Sequence, residues 1–337
     1  MKSLLSYCDR NYIIPQYTKC EFVVVNGTVA DRAPIPFGNT MLNHVEHIVL
    51  LGSHLTSSAS IAAEMDLHMK KRYMSVIKFY NFIRSNKSAP IQIKLKVLKS
   101  CVMSSLLYNC ETFGNSIPKG LESAYCKMLK CCLDVRCNVP NHIAFVETGF
   151  LPLRTLVHKR QWKFYRRLQG SIAPQSRRYK MLQIILESQT TFVGHYVKLS
   201  SKYSSAEEII TEGRSELKRR VHHMANTGHY KYRMYVEINP DLSPSPFFQV
   251  VHPVANDIIR LRLGSHYFPI ETGRWNRTPR QNRICTNCSV LGDEKHYIYY
   301  CPNIARHDII LNDDISKIWE QPVIYKLVKR MKQEKYL

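Results

Sequence analysis

The 337-residue sequence predicts a mainly helical fold, with a small β element at its N-terminal end and a small cross-braced lobe at its C-terminal end. Three observations carry this. From about Ser60 onward, apolar residues recur every three or four positions, the period of an amphipathic helix. Before Ser60, short β-prone runs stop at turn residues. Near the C-terminus, RICTNCSVLGDEKHYIYYCPNIAR gathers Cys285, Cys288, His296 and Cys301 within seventeen residues.

Taken in order, CEFVVVNG reads as a strand over Phe22–Val25, closed by the turn pair Asn26-Gly27. DRAPIPFGN, with two prolines, reads as loop. HIVLLGSHLT gives a second short apolar run that ends at Gly52. Then Ile61, Met65, Met69, Tyr73, Val76, Tyr80 and Ile83 form one helical face, leaving Lys70, Lys71, Arg72 and Lys78 largely off it. Ser88-Ala-Pro90 starts another helix. Its stripe is Leu95, Leu98, Val102 and Leu106, with Lys94, Lys96 and Lys99 toward water.

A third helix is expected over Leu121–Leu133, with Leu121, Tyr125, Met128, Leu129 and Cys132 inward. A fourth covers Leu153–Leu168 and carries HKRQWKFYRR. SAEEIITEGRSELKRRVHHMAN has an acidic first half and a basic second half, as the helix dipole favours. Asn239–Pro246, with three prolines in eight residues, is the strongest candidate boundary. VANDIIRLRLGSHY reads as a helix feeding the cysteine cluster. The expected segments are 1–56, 57–170, 171–245 and 246–337.

The cluster has the spacing C-x2-C-x7-H-x4-C. A CxxC pair presents two thiolates to one tetrahedral ion, and His296 and Cys301 complete a Cys3His set. Zinc suits such mixed sulfur and nitrogen donors. Four protein ligands close the site, which makes it structural. The bland alternative is three buried cysteines and an unrelated surface histidine. Gly292, Asp293 and Glu294 read as a turn before the second ligand pair. The other group, Cys126, Cys131, Cys132 and Cys137, does not converge on a helix and reads as core packing.

Forty-eight Lys and Arg against 26 Asp and Glu leave a net charge of +22. A surplus of that size repels itself in the folded state unless a polyanion screens it, so nucleic acid is the expected partner. HKRQWKFYRRLQG alternates base with aromatic, placing Lys159, Arg160, Lys163, Arg166 and Arg167 as phosphate contacts. GRWNRTPRQNR adds Arg274, Arg277, Arg280 and Arg283 immediately before Cys285. The competing reading of each is a solvated basic helix face. No run approaches the length of a membrane span, and MKSLLSYCDRNY is too short for a secretory h-region. With eleven cysteines, an odd count, the chain reads as reduced and intracellular, with the nucleus expected and the cytoplasm as the alternative. Among the common catalytic motifs HExxH, GxSxG and the P-loop are absent. Asp313-Asp314 reads as a surface cap, so no self-contained catalytic residue is assigned.

An ordered series of segments resembles the non-LTR (LINE-type) retrotransposon reverse transcriptases. HVEHIVLLGSHLT is similar to the "YLG" segment after their palm, and TKCEFVVVNG to the palm segment that bears a lysine, here Lys19. KLKVLKSCVMSSLLYNCETFG resembles their thumb, with Asn109 and Phe113 where glycine and tryptophan are usual. YCKMLKCCLDVRCNVPN and VETGFLPL continue the series. RLRLGSHYFPIETGRWNR and the Cys-Cys-His-Cys cluster resemble their C-terminal zinc-binding region.

The resemblance implies a remnant of the palm, a helical thumb, a helical connector and a zinc-stabilised C-terminal domain. It also implies binding of RNA or a primer–template RNA–DNA duplex, with Lys19 and Gly52 added to the contacts. The paired aspartates that hold two magnesium ions in such polymerases are expected upstream of Met1, so Mg²⁺ enters only if an upstream palm is present. The alternative function is a zinc-stabilised structural or protein-interaction module derived from such an element.

Overall fold

A computed structural model describes the chain except for residues 1, 39, 116, 118, 172, 174, 188–190, 250–253, 306–313 and 321. It is mostly helical, with two small antiparallel sheets near the N-terminus, as the sequence predicts. Two compact units divide at Ser75, Met1–Ser75 and Val76–Leu337.

The first unit holds α1 (Lys2–Arg10) and two hairpins: β1 (Ile35–Phe37) with β2 (Thr40–Leu42), and β3 (His47–Leu50) with β4 (Ser53–Thr56). The second hairpin turns on two residues, Leu51 (φ 49°) and Gly52 (φ 82°). Positive φ at both central positions is what a tight hairpin turn requires. Two expectations are corrected. Phe22–Val25 forms no strand: it makes one bridge, Phe22 to His44, and the four strands pair among themselves, leaving no ladder for it. Conversely, β1 lies inside the expected loop; its Pro36 is tolerated because a two-stranded sheet is all edge. Asn26 does turn, at φ 54°.

Helix α2 (Ile61–Ser85) begins where the period predicts. Its buried positions are Met65, His68, Val76 and Phe79. Tyr73 stands about 80° round from Met65 and is exposed, not inward as expected.

In the second unit, α3 (Ile91–Val97), a π-helical turn (Leu98–Met103) and α4 (Ser104–Leu106) bury the predicted stripe Leu95, Leu98, Val102 and Leu106. Lys94 is buried instead of facing water. Its amine bonds the Lys87 carbonyl at 2.7 Å, which lets the apolar stem pack inward. α5 (Lys119–Cys132) brings Leu121, Tyr125, Met128, Leu129 and Cys132 into the core. Tyr125 donates to the Leu151 carbonyl at 3.1 Å.

α6 (Asn141–Thr148) ends at Gly149 (φ 69°), a left-handed cap, and α7 (Leu153–Ser171) follows. After α8 (Arg177–Glu187) and α9 (Thr191–Lys202) comes α10 (Ala206–Asn226), whose Ser205 side chain accepts from the Glu208 N–H. Glu207 and Glu208 sit in its first turn, as the dipole reading requires.

α11 (Tyr230–Ile238), α12 (Ala255–Arg262), α13 (Pro269–Trp275) and α14 (Val323–Gln333) complete the unit. Glu147 of α6 binds Arg262 of α12 through two contacts, 2.7 and 3.2 Å, and accepts from Tyr235 of α11 at 2.8 Å. The proline-rich stretch after α11 is an ordered turn inside this unit. Asn239 and Ser245 are buried there, and the Ser245 N–H bonds the Glu147 carbonyl. Asp314 accepts from the Ser316 N–H, while Asp313 lies outside the described residues.

Candidate metal centre and basic cluster

The sulfur and imidazole donors of Cys285, Cys288, His296 and Cys301 all lie within 4.8 Å of one another. Local geometry explains the spacing. Cys285 and Cys288 occupy a tight knuckle in which the Ser289 N–H and Cys288 N–H both turn back to the Cys285 carbonyl. The Cys285 N–H bonds Val290, and the Gly292 N–H bonds Arg283. Ser289 takes φ 55° at the tip.

Gly292 is needed for close approach: a Cβ there would stand 2.8 Å from Pro269 Cγ and 3.1 Å from the Cys285 nitrogen. Asp293 caps the next turn by accepting from the His296 N–H at 3.0 Å. His296–Tyr300 is π-helical, and the Cys301 N–H closes it on the His296 carbonyl at 2.8 Å. On an α-helix, residues five apart would diverge by about 140°; the wider π turn brings His296 and Cys301 to one side. The x4 gap and the π turn are the same fact.

The donor set fits a metal ion. Cys285 and Cys301 are fully buried, and His296 Nε2 is buried with no hydrogen-bond partner. Burial works to raise the Cys285 thiol, but hydrogen bonds from Tyr297 and the local backbone take it down to about 6. Burial and the charge on Cys285 push Cys301 the other way, to about 11. Three thiolates this close ionise together only around a cation. Among the described residues no other group of three or more such ligands converges in this way. Cys126 and Cys132 are buried core thiols pushed up by burial, and Cys137 is exposed.

The centre is wired to a cluster of arginines. Glu294, two residues before His296, is buried. It accepts from Tyr230 Oη at 2.6 Å and contacts His266 Nε2 at 3.0 Å. Three guanidiniums surround the Tyr230 ring: Arg280 at 4.7 Å, Arg274 at 5.2 Å and Arg233 at 5.8 Å. Arg274 is also paired with buried Glu271 at 2.7 Å, which Lys231 meets at 2.8 Å.

The structure therefore brings Arg274 and Arg280 together around Tyr230, which Glu294 ties to the turn bearing His296. Arg277 is exposed next to them. Arg283 turns inward, donating to the carbonyls of Thr278 and Ile270. On α7, Lys163, Arg166 and Arg167 are exposed, with the two arginines over Trp162 and Phe164; Lys159 is half-buried, and Arg160 donates to the Leu107 carbonyl at 2.7 Å. Lys19 is exposed at the end of a short 3-10 turn, and Gly52 forms the hairpin tip. No described helix is long and apolar enough to cross a membrane.

Sequence reasoning missed Tyr230, Arg233 and Arg136. Arg136 stacks on Tyr267 and Trp275, residues about 130 positions away, so no local pattern could reveal it. The charge surplus is also uneven. Met1–Ser75 holds seven Lys and Arg against six Asp and Glu, and Val76–Leu337 holds 41 against 20. Comparison with protein-family models, curated proteins and solved structures gives no match to this chain.

Proposed function

We propose that the chain is a nucleic-acid-binding part of a LINE-type reverse transcriptase, in which a structural zinc ion organises a basic C-terminal lobe. The observation that carries the reading is the gathering of Arg233, Arg274 and Arg280 around Tyr230, tied through Glu294 to the turn that bears His296. Guanidiniums held by an aromatic ring and a buried carboxylate are pre-organised for phosphate. The motif series quoted above supplies the family. Zinc is the ion that best suits three thiolates and one imidazole in a closed site, and its work is to hold the knuckle and the π turn together. In this reading the chain binds RNA or an RNA–DNA duplex and contributes no two-metal chemistry of its own.

The test is a titration of the zinc-loaded chain with single-stranded RNA and an RNA–DNA duplex across a range of salt. Binding should weaken steeply as salt rises, because each neutralised phosphate releases counterions. Affinity insensitive to salt, or no binding to either, overturns the reading and favours a protein-interaction module.

A further inference from the structure

Beside the arginine cluster, two large rings stand half in solvent. Tyr267 is 44% exposed and Trp275 is 43% exposed. Their centroids are 5.9 Å apart and the rings are nearly perpendicular, at 87°. The Arg136 guanidinium fills the corner between them, 4.0 Å from one centroid and 4.1 Å from the other. It is pinned there, with Nη1 donating to the His266 carbonyl at 3.0 Å and its backbone N–H to Ser265 Oγ at 3.1 Å. One side of each ring is thus backed by a fixed cation, while much of each ring meets water. The other two tryptophans are committed elsewhere: Trp162 donates to the Tyr203 carbonyl, and Trp319 is buried.

The chain just past Trp275 is unusual. Helix α13 ends with the Thr278 N–H on the Gly273 carbonyl (2.8 Å) and the Arg277 N–H on the Arg274 carbonyl (3.3 Å). That is the double-bonded helix stop whose left-handed position glycine normally fills. Here the position is Arg277, at φ 55°. A side chain in that conformation is strained, so the fold gives up stability to place an exposed guanidinium two residues from Trp275. The loop is braced from behind by Arg283, whose side chain lies where a Cβ on Gly273 would be, 2.5 Å from its Cγ.

We propose that Trp275 and Tyr267 form a stacking platform for an unpaired base of a single-stranded nucleic acid, with Arg277 meeting the adjoining phosphate. This deepens the nucleic-acid reading and rests on it. An exposed ring offers a π face that a single strand can use and a duplex, with its bases already stacked, cannot. Arg277 would contact phosphate in either form.

The experiment titrates the full zinc-loaded chain with a fluorescent oligouridine of about 12 nucleotides and with a duplex of equal length. Trp275→Ala should weaken single-strand binding roughly 5- to 150-fold, leave duplex affinity and the salt slope nearly unchanged, and be largely rescued by Trp275→Phe. Arg277→Gly should weaken both ligands and make the salt slope shallower by about one, yet raise the melting temperature by about 2 °C. Weaker binding with a more stable fold cannot come from misfolding. The platform is overturned if Trp275→Ala spares the single strand or weakens both ligands alike, and the role of Arg277 if its replacement by glycine leaves affinity unchanged or lowers the melting temperature. A wild-type chain that binds neither ligand overturns the nucleic-acid reading itself, and the platform with it.

Discussion

Cys288 is the one member of the Cys3His group that is neither fully buried nor packed into the core. Its replacement by serine therefore removes a donor with little loss of packing. Cys288→Ser should strip zinc from the dialysed protein and open the segment around Arg283–Cys301 to protease, because structural zinc supplies folding energy directly. Cys137→Ser, at an exposed thiol outside the group, should retain zinc, and equal metal content in the two variants would refute the ligand assignment. A second residue titrates in a useful range. His158 of α7 is held down to about 4, first by burial and then by His195, Arg154 and Lys202. Unfolded, it takes up a proton near pH 6.5, so between about 6.5 and 4 the unfolded chain binds more protons than the folded one. This contribution is intact above 6.5 and is lost as pH falls toward 4, a change of about 2 kcal/mol after solvent screening. His158→Gln should flatten that part of the urea-midpoint profile relative to wild type; parallel profiles would show that His158 is not the group responsible.

Between elements, the contact with most at stake is the buried pair Glu147–Arg262, which joins α6, α11 and α12 together with Tyr235. Glu147→Gln leaves the Arg262 charge uncompensated in the interior. It should cost about 3–5 kcal/mol, measured as a fall in the denaturant midpoint; a cost below about 1 kcal/mol would mean that Arg262 reaches water. This pair also marks where sequence reading stopped. Helices with a long apolar stripe, such as α5 around Leu121, Tyr125 and Met128, were legible because their own period sets the buried face. So was the convergence of Cys285, Cys288, His296 and Cys301, whose spacing fits one knuckle and one π turn. Lys94 was misplaced because its amine finds a carbonyl seven residues earlier in the chain, and Phe22–Val25 because a strand needs a partner that propensity cannot supply. Glu147 with Arg262, and Arg136 with Trp275, meet across more than a hundred residues, so only the packed helices reveal them.

For the whole molecule the governing quantity is where its charge lies. The excess of 21 positive charges in Val76–Leu337, against one in Met1–Ser75, makes the second unit self-repelling when free. Several of its cations already face a carboxylate: Arg262 is paired with Glu147 and Lys332 with Asp257, while Lys231 and Arg274 share the single charge of Glu271. The remaining repulsion is between exposed groups such as Lys163, Arg166, Arg167, Lys218, Arg219 and Arg220, and salt screens it. Raising sodium chloride from about 0.02 to 0.3 M shortens the screening length from about 20 to about 6 Å. The free protein should therefore melt a few degrees higher in the stronger salt. The same change should weaken the complex with nucleic acid, since counterion release then yields less. Opposite responses of fold and complex distinguish a surplus that is costly alone and useful with a polyanion from surface charge that is merely solvated. A melting temperature that is flat or falls with salt would mean that the pairs above have already absorbed the repulsion, and would remove the electrostatic argument for a polyanionic partner.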